Sequence, residues 1–209
     1  MGVHRTPDEL KNIIINGTQH LVAVGGISNF SFPKLSAETG ISAPTVYEHY
    51  KNKEVLLRSC FMKTDLEIVE LVKIFIKKMP PKWDSEPDSI NAYFQLMWMA
   101  YWNFLLSDTD KTVFYWRYYN SDYYNKELAD ERAKNFADFV AFVDELDEKY
   151  NISKEHNFII LLSNIVNATV RFAVKVIDGE YENNEITAKT IYRMIFQPIF
   201  SIFGIDAYK

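Results

Sequence analysis

Ser31-Phe32-Pro33-Lys34-Leu35-Ser36-Ala37-Glu38-Thr39-Gly40-Ile41-Ser42-Ala43-Pro44-Thr45-Val46-Tyr47-Glu48-His49-Tyr50 is the stretch on which the fold of this chain turns. Ser31 can cap a short helix running to Thr39, and Ser42 can cap a second one through Tyr50. Gly40 lies between them, where a turn residue must tolerate positive φ. Pro33 and Pro44 both fall in the first turn after a cap, the part of a helix where a missing N–H does no harm. Leu35, Ile41 and Val46 are spaced to form a miniature core, and Ser36 is small enough for the two helices to approach. Two short helices joined by a glycine turn form a helix-turn-helix.

Upstream, Thr6-Pro7-Asp8-Glu9 reads as a capping box with proline at the first helical position. Leu10, Ile13, Ile14, Leu21 and Val24 then recur at helical spacing, with Gly17 where a neighbouring helix could come close, until Gly25-Gly26 ends the run. Downstream, Asn52 can cap a long helix carrying Val55, Leu56, Cys60, Met62, Leu66, Val69, Val72 and Phe75, which stops before Pro80-Pro81. The Met79 to Pro87 stretch is a break, and further helices are expected at about 88–107, 110–120, 125–150, 155–178 and 186–203. No strand-period alternation competes with them, so the expected fold is all-α.

Composition agrees. Of 209 residues, 48% are apolar, enough for a core, and only seven glycines and seven prolines are available to break helices. The single cysteine, Cys60, cannot form an intrachain disulfide, and MGVHRTPDEL lacks the apolar core of a signal peptide, which points to a reducing cytoplasm. Phe158 to Ile177 has the length of a membrane span but contains Asn164, Asn167, Arg171 and Lys175, so no membrane partner is expected. The net charge of −5 speaks against indiscriminate nucleic-acid binding, although residues 1–63 are slightly basic and the remainder acidic.

The run from Phe32 to Leu57, above all the turn glycine Gly40, the Tyr47-Glu48-His49-Tyr50 end of the second short helix and the Lys51-Asn52-Lys53-Glu54 start of the next, resembles the DNA-binding domain of the TetR family of bacterial transcriptional regulators. The resemblance covers about residues 8–63. It implies a three-helix helix-turn-helix domain over 1–52 and a helical effector-binding and dimerisation region over 53–209. It further implies a homodimeric repressor of double-stranded DNA that reads a palindromic operator and is released by a small effector. Ala43 to Tyr50 would then be the recognition helix. Thr45 and His49, four residues apart on one face, would reach base edges, and Pro44 would offer apolar contact. Tyr47 and Lys53 match the family's phosphate-contacting positions, while Ser31 and Ser42 open helices whose N–H groups suit phosphate oxygens. The chain departs from the family at Pro33, where an arginine is common, and Lys34 is the candidate replacement; Glu48 adds a negative charge beside His49. Without the surrounding motif, His49 would read as an ordinary surface histidine, whereas Tyr50 reads as a core aromatic.

Beyond the motif, thirteen aromatic residues crowd positions 93–124. The 88–107 helix is apolar on nearly every face and is expected to be buried on all sides. Trp98, Trp102 and Tyr115, with Asn103 as a polar anchor, are the candidate pocket for an apolar or aromatic effector, the alternative being that these rings are core. In the 155–178 helix Phe158, Leu162, Ile165, Thr169 and Phe172, and in the last helix Ile195 and Ile199, form apolar stripes suited to pairing with a second copy, and Pro198 should kink the last helix. Asn164, Asn167 and Arg171 would need partners at that interface or toward the pocket.

An enzyme is not expected. Glu-x-x-His is absent, one cysteine excludes a four-thiolate zinc site within the chain, and no Gly-x-Gly-x-x-Gly, Walker, Gly-x-Ser-x-Gly or His-Glu-x-x-His motif occurs. No cofactor and no metal are expected. The alternative function is a helical small-molecule carrier or interaction protein that no longer binds DNA.

Overall fold

A computed structural model of the chain describes residues 5–78, 87–150 and 158–202. Among these residues there are ten α-helices and no strand. The chain divides into two compact units, one of residues 1–67 and 108–132, the other of residues 68–107 and 133–209. Among the described residues no helix is long and apolar enough to cross a membrane.

The first unit is built from α1 (Pro7–Gly25), α2 (Phe32–Thr39), α3 (Ala43–His49), the beginning of α4 (Lys53–Lys78) and, from later in the chain, α6 (Thr109–Tyr119) and most of α7 (Lys126–Asn135). The local signals act as expected. Thr6 and Glu9 complete a capping box, Ser42 accepts from the Thr45 N–H, Asn52 Oδ1 accepts from the Val55 N–H at 2.9 Å, and Gly40 sits at φ 70°. Ser31 holds the N-cap position of α2 without a side-chain cap bond. Leu35, Ile41 and Val46 are buried together with Ile14, Leu56 and Phe61.

Gly17 is where α1 meets α2. A methyl group there would run into Thr39 Cγ2 and lie 3.1 Å from Leu35 Cδ1. Thr39 cannot simply rotate away, since its hydroxyl donates to the Leu35 carbonyl at 2.7 Å. Gly17→Ala is expected to lower stability by about 1–3 kcal/mol through this overpacking, read as an earlier urea midpoint; an unchanged midpoint would mean that Thr39 yields freely.

α6 lies on α1. Asp110 Oδ2 is 2.8 Å from His20 Nδ1, and Arg117 Nη1 donates to the Val22 carbonyl at 2.9 Å. The hydrogen bond to Asp110 raises the His20 pKa, with Glu38 of α2 4.0 Å from the other ring nitrogen. Phe61 of α4 stacks on Tyr115 at 4.7 Å and on Tyr118 at 4.7 Å.

The second unit comprises the remainder of α4, α5 (Pro87–Ser107), α8 (Ala137–Tyr150), α9 (Phe158–Ile177) and α10 (Glu185–Ile202). α9 packs on α5, α8 and α10, and α5 also meets α10. Trp98 stacks on Trp102 at 5.2 Å, and Tyr192, Phe196 and Phe200 of α10 enter the same aromatic core. Pro198 lies inside α10 on an exposed position and, having no N–H, leaves one i→i−4 bond of that helix unmade.

Two expectations are corrected here. The helix expected over 125–150 is two helices, α7 and α8, separated by a turn at Phe136. No glycine or proline marks the break. The break lies a few residues past the point, between Arg132 and Ala133, where the chain passes from the first unit to the second. Nor is α5 buried all round: Leu96 is 63% exposed and Asn103 is also exposed, because its neighbours within the chain cover only part of its apolar circumference. The Met79–Pro87 break falls outside the described residues except for its last residue, Pro87, which opens α5.

Candidate functional site

α3 buries Val46 completely and leaves Pro44, Tyr47, Glu48 and His49 exposed. The split follows from helical periodicity: Val46 must face Leu35 of α2, which turns the flanking residues outward. Tyr47 is 55% exposed and its ring lies 4.6 Å from Phe32, so part of its surface is braced against α2. Thr45 is half-buried, and its hydroxyl is 2.8 Å from that of Ser42. The short helix thus presents a hydroxyl pair, a phenol and an imidazole from one rigid segment.

The two candidate lysines are tied to the connection after α1. Lys34 Nζ donates to the Asn29 carbonyl at 2.9 Å. Lys53 Nζ donates to the Ile27 carbonyl at 2.7 Å and lies 5.9 Å from the Phe30 ring, and partial burial pushes its pKa down. An ammonium has three donors, so neither lysine is exhausted by its bond. Pro44, Thr45, Tyr47 and His49 thus lie on α3 after its cap Ser42, with Ser31 capping α2, Lys34 in the first turn of α2 and Lys53 opening α4.

The second unit contains a cavity of about 90 Å³. Its aromatic walls come from Phe94, Trp98 and Tyr101 of α5, Phe139 and Phe142 of α8 and Phe196 of α10. Ile68 and Val72 of α4, Ile165 and Val166 of α9 and Ile199 of α10 complete it, beside Met97 and Phe136. None of these side chains carries a charge at neutral pH. The Trp98 indole N–H is already given to Thr169 Oγ1 at 2.9 Å, and that hydroxyl donates to the Ile165 carbonyl at 2.7 Å.

Of the four sequence candidates for this pocket, Trp98 lines it. Trp102 is buried and stacks on Trp98 but is not a lining residue, and Asn103 is exposed. Tyr115 belongs to the first unit, where its hydroxyl donates to Asp65 Oδ1 at 2.8 Å. The aromatic segment 93–124 is thus not one cluster; α5 and α6 send their rings into two different cores. Sequence reasoning missed Phe139, Phe142, Val166 and Val72. The only available signal was Phe136, Phe139 and Phe142 at three-residue spacing, which places rings along one helix side.

A second omission is Asp65, fully buried in α4. Arg132 Nε donates to Asp65 Oδ1 at 2.5 Å, and Arg132 Nη2 donates to the Tyr115 hydroxyl at 2.8 Å. Burial pushes the Asp65 carboxyl above its usual range, while Arg132 and Tyr115 act in the opposite direction.

The candidate interface residues Ile165, Thr169, Ile195 and Ile199 are buried within a single chain, where α9 and α10 use these stripes against each other, α5 and the cavity. Phe172 is half-buried; the Phe158 and Leu162 side chains lie outside the described residues. The outward sides of α9 and α10 instead carry Ile160, Ser163, Asn164 and Arg171, and Ile186, Thr190 and Met194; Asn167 is half-buried. Ile160 and Ile186 are 63% and 77% exposed.

Residues 14–60 match the family model of bacterial regulatory proteins of the tetR family. An uncharacterised HTH-type transcriptional regulator of Haemophilus influenzae is 28% identical over 97 residues, 46% of this chain. That match spans 48% of the relative, so about half its length is represented. Solved structures share the fold across nearly the whole chain. A TetR-family transcription regulator from Marinobacter aquaeolei has a TM-score of 0.73 at 17% identity, with 93% of this chain and 95% of that one covered. The regulator FadR of Bacillus subtilis in complex with stearoyl-CoA has a TM-score of 0.64 at 15% identity, covering 88% of this chain and 96% of that one.

Proposed function

We propose, from the premise that this chain carries the amino-terminal domain of the tetR family, that it is a ligand-responsive repressor acting as a homodimer on a palindromic operator. The observation that carries this reading is the exposed α3, whose buried Val46 fixes it while Pro44, Tyr47 and His49 are exposed. Thr45 and His49 read base edges in the major groove, Pro44 gives apolar contact, and Tyr47, Lys34 and Lys53 meet phosphates with the N-terminal ends at Ser31 and Ser42. Two copies pair through the outward sides of α9 and α10, where Ile186 and Met194 are exposed, and so offer two α3 helices to successive grooves.

A small apolar or aromatic effector occupies the cavity of the second unit. α4 is one continuous helix that contributes Lys53 beside the operator face and Ile68 and Val72 to the cavity wall, so an effector that moves its far end shifts the population of DNA-competent dimers. Lipophilic ligands have a precedent in this fold, the stearoyl-CoA bound by the Bacillus subtilis relative.

Selection from randomised duplex at low and physiological salt tests the reading. Sequence-selective, salt-sensitive binding is expected, with His49→Ala relaxing preference at one base pair and weakening binding to the selected site by about 1–3 kcal/mol. No binding at low salt would leave a helical carrier as the better description, and unchanged preference in His49→Ala would remove His49 from the base-reading face.

A further inference from the structure

We propose that the cavity of the second unit is a site for a neutral hydrocarbon of about one aromatic ring, the benzene and toluene class, and that it rejects ligands whose charged group must enter it. The proposal rests on the reading above in placing the effector there, and it specifies the effector's chemistry.

Charge is decided by what the wall lacks. Among the described lining residues no side chain is ionised at neutral pH, so neither a carboxylate nor an ammonium would find a counter-ion among them. An unpaired ion in such surroundings loses its hydration without compensation. Rings attract cations, but that attraction is smaller than the desolvation of an ammonium group fully withdrawn from water. The Trp98 N–H is committed to Thr169 and the Thr169 hydroxyl to the Ile165 carbonyl, which leaves the Tyr101 phenol as the polar group of the described wall, a neutral one.

Size is decided by volume. The cavity measures about 90 Å³, whereas a dry apolar cavity of about 150 Å³ accepts benzene. One ring therefore requires the cavity to widen, and the unbranched side chain of Met97 in the wall is suited to yield part of that space. Two fused rings or a long alkyl chain require the helices themselves to part. An aromatic ligand also gains from edge and offset contacts with Phe94, Trp98 and Phe139, which an alkane cannot reproduce.

The full-length protein is heated with toluene, hexane, benzoate or benzyltrimethylammonium at matched concentrations, and unfolding is followed by circular dichroism. Toluene at about one hundred times its Kd is expected to raise the midpoint by about 5–10 °C, with a smaller shift for hexane and none for the two ions. Val166→Phe, which fills the cavity, should abolish the toluene shift, and Val72→Phe serves the same purpose if the first variant does not fold. An equal shift with benzyltrimethylammonium would make the site a cation cage and overturn the proposal. A shift with hexane alone would make it a chain-binding site, and no shift with any compound would make it a packing void; either result also overturns it. DNA binding measured with and without toluene separates this from the wider reading. A thermal shift without any DNA binding leaves the ligand assignment standing and ends the repressor, whereas selective DNA binding without a thermal shift does the reverse.

Discussion

Arg132→Met is expected to destabilise the protein by about 3–5 kcal/mol. Asp65 is completely buried, and its described hydrogen bonds come from the Arg132 guanidinium at 2.5 Å and the Tyr115 hydroxyl at 2.8 Å. Methionine fills part of the arginine volume but leaves a carboxylate with no opposite charge in surroundings that already disfavour it. The cost is therefore dominated by the stranded acid and not by the lost pair, which distinguishes this substitution from deletion of an exposed bridge such as Lys189 to Glu185. Asp65→Leu combined with Arg132→Met should recover most of the loss, because both charges are then gone. The sign with pH follows. In Arg132→Met the folded carboxyl has a raised pKa, so the folded state holds a proton that the unfolded chain has released, and stability falls as pH rises from the ordinary aspartate range through that raised value. Urea unfolding of the single and double variants at two pH values checks both statements; a single-variant loss below about 1 kcal/mol would mean that Asp65 is hydrated or neutral in the native protein.

The second large effect is expected at Trp98. It is 2% exposed, stacks on Trp102 at 5.2 Å with the ring planes 17° apart, and donates its indole N–H to Thr169. Trp98→Ala removes the largest fully buried ring among the described residues and leaves a polar acceptor inside, so a loss of about 3–5 kcal/mol is expected. A thermal melt reads it directly. The same position lines the cavity, and a loss of effector response in Trp98→Ala would therefore mix ligand contact with a weakened fold. Trp98→Phe is the cleaner variant: it keeps a ring, gives up the bond to Thr169, and should cost less than half as much. Equal costs for the two substitutions would show that the hydrogen bond, not the ring, holds this core together.

These effects bear on how much of the protein was legible in its chain of residues. The helix-turn-helix was, because its determinants are local. A capping serine, a turn glycine at φ 70° and prolines in first turns act over three or four residues, and the buried triad Leu35, Ile41 and Val46 lies within twelve positions. Gly17 was legible as a close approach, though not that Thr39 would be the side chain it admits. The exposed face of α3 followed from the same spacing, since burying Val46 on a 3.6-residue helix leaves Pro44, Tyr47 and His49 outside.

The apolar cavity was legible only as a tendency toward aromatic residues. Trp98 was visible as a candidate, but its partners in the wall, from Ile68 to Ile199, come from five helices whose meeting depends on tertiary packing. Tyr115 shows how composition misleads, because a ring near others in sequence was sent to another core to satisfy Asp65. The apolar stripes of α9 and α10 had a similar ambiguity: periodicity says that Ile165, Ile195 and Ile199 must be covered, not whether the cover is the same chain or a second copy.

Caps, breakers and helical period thus determined the all-α character, the helix-turn-helix and the residues its third helix displays, since backbone hydrogen bonding and side-chain spacing are settled between near neighbours. The pairing of Asp65 with Arg132 and the assembly of the apolar cavity were decided by the tertiary structure alone. Each brings together groups tens of residues apart, and the energies that select such meetings, desolvation of a charge and exclusion of water from rings, exist only once the helices have packed.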